Sequence, residues 1–327
     1  SQEATLKLVK LLGSLVLACA MAPGFAQTDH YPTRAIKLYV GFAPGGATDQ
    51  LARLYATRLT ERLGQPVVVE NRPGSGGNVA VQQLAQASPD GYSLVMAANY
   101  VAINAALKRN VYNWERDLAP IALIASTPNL LVVPANSSFK TIDDIAQAGR
   151  KPGAQVTFGS PGMGSSVHLS GELFKLTAAS PGLTHVPYKG ISPAELDLVA
   201  GTIDLMFGSI STAVPLVESG KLRAIAVTGT QRLKALPNVP TLDELGMKGF
   251  NVEATYMVIA PAKTPAPIVQ KLSAEIAEVS RQPEVQRAIE NLYAQPLTGG
   301  PAQTRAFLKT EEAKWTELVK ASGLKID

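Results

Sequence analysis

Between Tyr39 and Asp49 the chain reads Tyr-Val-Gly-Phe-Ala-Pro-Gly-Gly-Ala-Thr-Asp, and the flanks of this glycine turn fix what can surround it. The apolar run from Ile36 to Val40 predicts a short buried strand. After the turn, Leu51, Tyr55, Leu59 and Leu63 recur at the spacing of one helix face, and Gly64 stands where a C-cap glycine belongs. The unit is strand, glycine turn, helix N-terminus. Backbone N–H groups in a first helical turn lack intrahelical partners, and the helix dipole adds partial positive charge there. Glycine lets a ligand approach the backbone closely. Such a turn can hold a small anion; it can equally be glycine-rich only to make the bend. Two nucleotide readings fail. A P-loop ends in G-K followed by Ser or Thr, and Gly46-Ala47-Thr48 has no Lys. A dinucleotide fingerprint needs G-x-G-x-x-G, which Gly41, Gly45 and Gly46 do not match. What remains is a ligand smaller than a nucleotide, above all a carboxylate.

The head of the chain has a different character. Lys7 and Lys10 precede an apolar run from Leu11 to Met21, and Gly24 and Ala26 precede a possible cut after Ala26. Residues 1–26 therefore read as a secretory signal peptide. The run is shorter than the ~20 apolar residues of a spanning helix. Cys19, the only cysteine, lies inside it; Val16-Leu17-Ala18-Cys19 faintly resembles a lipoprotein cleavage box, with Leu17 atypical. Without this segment the chain has no cysteine, hence no disulfide, no thiolate chemistry and no Cys-based metal site. That suits the oxidising periplasm. Removing 26 of the 327 residues leaves 301, more than one core usually serves, so two lobes are expected. Losing two Lys and one Glu takes the net charge from +4 to +3. The Lys and Arg residues are scattered among acidic ones, which favours a mixed solvated surface over a nucleic-acid footprint.

The rest alternates Val- and Ile-rich runs with helical stretches and Gly/Pro turns, the pattern of an α/β fold with parallel strands. Strands are expected at 66–70, 92–97, 130–133, 155–158, 184–187, 203–207, 222–227 and 250–259. Thr141 with Asp144 makes a capping-box start, and helices begin near Pro265, Pro283 and Pro301. Asn99 sits at the carboxyl end of a strand, the edge where open α/β sheets bind ligands. After the strand ending at Phe158 comes Gly159-Ser160-Pro161-Gly162-Met163-Gly164-Ser165-Ser166 and a helix, which repeats the opening device with hydroxyls added. Two such units favour a two-lobed clamp on one ligand; two adjacent sites on one lobe are the alternative.

Val40–Gly46 with Asp49, Val69–Gly77, and Gly159–Ser165 with His168 and Leu169 resemble signatures of the tripartite tricarboxylate transporter receptors, also called Bug-type periplasmic solute-binding proteins. Val186–Gly190, Gly201 with Asp204, and Gly220–Val227 extend the resemblance over nearly all of the chain after residue 26. It implies a type 2 periplasmic binding fold with two α/β lobes and two crossing strands, near 127–133 and 253–258. Lobe one would be 31–128 plus 253–327, and lobe two 129–252. It further implies a small organic carboxylate (a di- or tricarboxylate, an amino acid or an aromatic acid), held partly through water and delivered to membrane subunits of a tripartite transporter. No cofactor, metal or nucleic acid is expected, and the protein is expected to be a periplasmic monomer.

Carried over by motif, the first grip is Phe42, Ala43, Pro44, Gly45, Gly46, Thr48 and Asp49. The second is Gly159, Ser160, Gly164, Ser165 and Ser166, with Tyr188, Gly190 and Asp204 nearby and Asn99 in the cleft. Each has a plainer alternative. Phe42 covers the ligand or fills the core. Thr48 donates to the ligand or caps the helix. Asp49 would repel a carboxylate, so it caps N–H groups or accepts from a water or a ligand amine. One of Ser160, Ser165 and Ser166 is expected to be only an N-cap. Tyr188 reaches the ligand or makes a structural bond; Asp204 holds water or a ligand hydroxyl; Arg72 anchors its loop; His168 is a hydrogen-bonded helix residue. The rival class is a secreted hydrolase, but the G-x-S-x-G elbow and H-E-x-x-H are both absent, and only His168 and His185 remain as candidate interior imidazoles. A sensor that passes ligand occupancy to a signalling partner is the third class.

Overall fold

The computed structural model describes residues 30–109 and 111–322; the expected signal peptide, with Cys19, lies outside the described residues. The first part runs β1 (Ile36–Val40), α1 (Ala47–Leu63), β2 (Val67–Asn71), α2 (Asn78–Ala85), β3 (Ser93–Ala98), α3 (Tyr100–Ala106) and α4 (Trp114–Asp117). A long β4 (Leu118–Pro134) follows. Next come α5 (Ile142–Arg150), β5 (Val156–Ser160), α6 (Ser166–Thr177), β6 (Leu183–Pro187), α7 (Ile191–Ala200), β7 (Leu205–Ser209), α8 (Ile210–Glu218) and β8 (Leu222–Val227). The chain then returns through β9 (Glu253–Pro261) to α9 (Ala266–Arg281), α10 (Pro283–Asn291), β10 (Gln295–Gly299) and α11 (Pro301–Ser322).

The strand order is β2-β1-β3-β9-β4-β7-β5-β6, with β10 and β8 also on β4. β1 pairs in parallel with β2 and β3, and β5 in parallel with β6 and β7, whereas every pairing of β4 and β9 is antiparallel. The N-terminal part of β4 pairs β9 from Leu118 to Pro128, and Asn129 onward pairs β7 and β8. One strand thus belongs to two sheets. Two hydrophobic cores follow: one gathers Leu38, Tyr55, Met96 and Ile259, the other Phe158, Phe174, Phe207 and Val227. Helix α11 reaches both, with Leu308 in the first core and Trp315 in the second. This is the two-lobed α/β architecture expected from the sequence.

Local chemistry explains the elements. Gly64 ends α1 in the left-handed conformation at φ 67°, its N–H returning to the Thr60 carbonyl. Thr141 and Asp144 form the reciprocal capping box of α5. Two strands differ most from the sequence reading. The strand expected at 130–133 begins at Leu118; Pro120 and Pro128, which lack ladder donors, hide its first part, and the register slips between Pro120 and Ala122. β10 was not expected, because Pro296 and Gly299 interrupt a largely polar edge run that slips register between those two residues.

Candidate functional site

A cavity lies between the two cores, walled by both glycine turns and by the strands that cross beneath them. On the first turn Gly45 is left-handed at φ 99°, which lets the chain reverse from β1 into α1. Gly46 is the extended N-cap and carries no side-chain cap, so the first N–H groups of α1 are not capped by their own chain. Phe42 packs edge-on against Tyr100 at 5.5 Å between ring centres and lines the cavity. Thr48 is buried on the wall, and among the described residues its hydroxyl has no partner.

Asp49 is fully engaged within the protein. Its carboxylate accepts from the N–H of Gly45 at 3.1 Å, from Arg53 at 3.0 Å on each oxygen, and from Asn71 at 2.9 Å. Burial pushes its pKa up, but the bonds from Arg53, Asn71 and Gly45 outweigh that and hold the carboxyl below its usual range. It stabilises the turn and is neutralised by Arg53. Arg72 likewise stays on its loop, 2.7 Å from Glu70.

The second turn divides its three serines by role. Ser165 is the N-cap of α6: it accepts from the His168 N–H at 3.2 Å and donates to the Gly162 carbonyl at 2.7 Å. Ser160 is fully buried, with its hydroxyl 2.6 Å from His185 Nε2 and 3.1 Å from the Gly162 carbonyl. Ser166 alone keeps a hydroxyl without a partner among the described residues, on the cavity wall. Below it His168 Nδ1 accepts from the Gly164 N–H at 3.0 Å, which puts the imidazole proton on Nε2. Burial lowers the pKa of His168 to about 2, helped by His185, and that of His185 to about 4. His168 and Glu172, 3.8 Å apart, are therefore no ion pair: burial keeps the imidazole neutral and raises the acid.

Of the candidate residues, Phe42, Ala43, Gly46, Thr48, Asp49, Asn99, Ser165 and Ser166 come together on the wall. The others do not. Pro44, Gly45 and Gly190 sit at the rim, where the lobes touch: the Ala43 N–H donates to the Lys189 carbonyl at 3.0 Å, and Ser192 reaches the Pro44 carbonyl at 3.4 Å. Gly159 faces Ile203 and Tyr188, and left-handed Gly164 faces Asn104, each with no room for a side chain. Tyr188 donates to Asp197 at 2.6 Å. Asp204 accepts from the N–H and hydroxyl of Thr157, at 2.7 and 2.8 Å. Asn99, though on the wall, gives its amide hydrogens to the Glu253 carbonyl and to Glu311, at 2.9 and 3.0 Å.

Sequence reasoning missed the floor: Asn129 of β4, Ser209 at the end of β7, and Ala254 and Tyr256 of β9. Polar residues inside an apolar crossing strand were the available signal, and Asn129 fits it. The described residues of the wall include no Lys or Arg, so what it can offer an anion is the N-termini of α1 and α6 and hydroxyls. Among the described residues no three His, Cys, Asp or Glu side chains gather as metal ligands. The Ser160–His185 pair resembles a nucleophile with its base, but Ser160 has no exposed surface. No helix of the described residues is long and apolar enough to cross a membrane.

A sequence profile described as the tripartite tricarboxylate transporter family receptor matches residues 51–324. The solved structure of the periplasmic binding protein BugD is 33% identical, with a TM-score of 0.86, covering 90% of this chain and 99% of its own. The adipate-bound R. palustris protein Rpa4515 is 33% identical at a TM-score of 0.84, covering 90% and 98%. MatC from Rhodopseudomonas palustris, with bound malate, is 31% identical at 0.84, covering 88% and 100%.

Proposed function

The chain belongs to the tripartite tricarboxylate transporter receptor family, and from that premise we propose that it is a periplasmic receptor that captures a small organic carboxylate between its lobes and delivers it to the membrane subunits of such a transporter. Export would use residues 1–26. The lobes would divide as 31–128 plus 253–327, and 129–252. The observation that carries the reading is the pair of opposed helix N-termini at Gly46 and Ser165, with the unpartnered hydroxyls of Thr48 and Ser166 beside them. Each terminus offers N–H donors and partial positive charge to one end of an anion, as befits a carboxylate on a wall whose described residues include no Lys or Arg. Adipate and malate in the relatives' structures support the same ligand class.

Binding without chemistry is favoured, because the serine–imidazole pair found among the described residues, Ser160 with His185, is sealed. The wall draws residues from both lobes, so a ligand that touches both favours the state in which they meet. The test is the melting temperature of residues 27–327 against citrate, succinate, malate, adipate, glutamate, nicotinate, benzoate and terephthalate. A ligand at 100 times its dissociation constant adds about 2.7 kcal/mol to the folded state, a visible rise. A flat response across the panel, in protein first unfolded and refolded to strip host ligand, would sink the carboxylate reading.

A further inference from the structure

Asn129 stands where β4 passes from one sheet to the other, opposite Ser209 of β7, and its side chain lines the cavity floor. Its amide is held in one orientation. Asn129 Nδ2 donates to Ser170 Oγ at 3.1 Å, and Ser170 Oγ donates onward to the Ser166 carbonyl at 2.9 Å. Ser170 has one hydroxyl proton, spent on Ser166, so it meets the amide as an acceptor. Turning the amide over would forfeit one of these two bonds. Asn129 Oδ1 is therefore the atom left for the cavity, and among the described residues no donor reaches it. The neighbouring Asn99 offers no such atom, since its Oδ1 faces the Thr255 N–H and both amide hydrogens are used.

An unpaired acceptor in a closing cavity costs the complex unless the ligand brings a donor. A carboxylate brings none. The relay runs from Asn129 to the first turn of α6, so the donor has to lie beside the carboxylate held on that turn. It can be a hydroxyl or an ammonium. An ammonium would enter a cavity between two helix N-termini where the one carboxylate among the described lining residues, Asp49, is already neutralised by Arg53. Tyr256, 5% exposed on the same floor with no partner for its hydroxyl among the described residues, can serve the ligand hydroxyl as a further partner. From Asn129 Oδ1 we infer that the ligand is a hydroxy carboxylate, its hydroxyl close to the carboxylate that α6 holds, in preference to the same acid without the hydroxyl or with an amine in its place. This rests on the carboxylate reading above.

The experiment is calorimetric titration of matched acids: succinate, malate and aspartate; glutarate, 2-hydroxyglutarate and glutamate; propionate, lactate and alanine. The expected result is that on the skeleton that binds, the hydroxy acid binds roughly tenfold tighter than its parent, and the amino acid weaker than both. In Asn129→Ala the hydroxy-to-parent ratio falls toward one, and in Ser170→Ala it falls part of the way because the amide is free to turn. The inference is overturned if parent and hydroxy acid bind alike, if the amino acid binds best, or if the ratio survives in a folded Asn129→Ala. The wild-type comparison stands even where a variant fails to fold. Equal binding by parent and hydroxy acid removes this inference and leaves the carboxylate reading intact; no binding by any acid here or in the wider panel removes both.

Discussion

The N–H of Ala43 donates to the carbonyl of Lys189 at 3.0 Å, a backbone bond from the first glycine turn to the loop that precedes α7. Beside it, a Cβ on Gly190 would stand 2.7 Å from the Cβ of Ala43. The two lobes therefore meet backbone to backbone at the rim, and the structure is that of a shut cleft. Gly190 is extended, at φ 173°, so a side chain there would not strain its own lobe. Gly190→Val should keep the rim from meeting. The apo melting temperature should stay near wild type, while carboxylate affinity falls by roughly tenfold or more, about 1.4 kcal/mol per decade. Small-angle scattering should show no ligand-induced contraction; a normal contraction would show that the rim contact does not limit closure.

Thr48 and Ser166 keep free hydroxyls on opposite walls, whereas Ser165 spends its own on capping α6. Thr48→Ala and Ser166→Ala should each weaken carboxylate binding by about 1–3 kcal/mol, the range for bonds to charged groups, with little change in apo stability. Ser165→Ala should lower apo stability by about 1 kcal/mol through loss of the cap. Calorimetric titration beside chemical unfolding separates the two effects. If Ser166→Ala destabilised the fold without touching affinity, the division of labour would be reversed.

Glu195 of α7 is buried and accepts the hydroxyl of Thr212 on α8. Burial pushes its pKa up to about 7, against the opposing pull of that hydroxyl. A carboxyl raised in the folded state holds its proton more tightly there than in the unfolded chain. Its contribution is complete below pH ~4.5 and is lost as pH rises through 7. Glu195→Gln keeps an acceptor for Thr212 and removes the charge. Its melting temperature should exceed wild type at pH 8 and match it near pH 4.5. A constant offset at both pH values would show packing, not ionisation, at work.

His168 and His185, whose rings are 4.0 Å apart, act in the opposite sense. Their folded pKa values, lowered chiefly by burial, lie below the ordinary value near 6.5. The unfolded chain takes up protons first on acidification, so stability is lost as pH falls from about 6.5 through 4. The decline in melting temperature over that interval should be shallower in His185→Gln than in wild type. It should be steeper in Glu195→Gln, which lacks the opposing acid. Identical slopes in wild type and His185→Gln would discount the imidazole pair.

The local devices were legible in the sequence because each depends on a few adjacent residues. Gly64 ends α1, Thr141 with Asp144 starts α5, and both glycine turns begin helices. The family resemblance led to the right fold because its motifs lie on those turns. Roles within the turns were less legible. Asp49 and Ser160 carry polar groups suited to a ligand, but Arg53 and Asn71 occupy one and His185 the other; Arg53 lies one helical turn from Asp49, whereas Asn71 and His185 are brought in only by folding. The floor was hidden for the same reason: Asn129, Ser209 and Tyr256 come from strands far apart in the chain.

Helix ends at the two grips also bear on how such a pocket changes over time. In the proposed receptor the groups that would hold the anion are peptide N–H groups of Ala47 and Ser166 and their neighbours, and nearly any residue retains its N–H. Replacement of side chains can reshape the floor at Asn129 or Tyr256 while the anchoring charge of the grip persists. Affinity for the acid group is thereby inherited with the backbone, and the choice among acids is left free to drift.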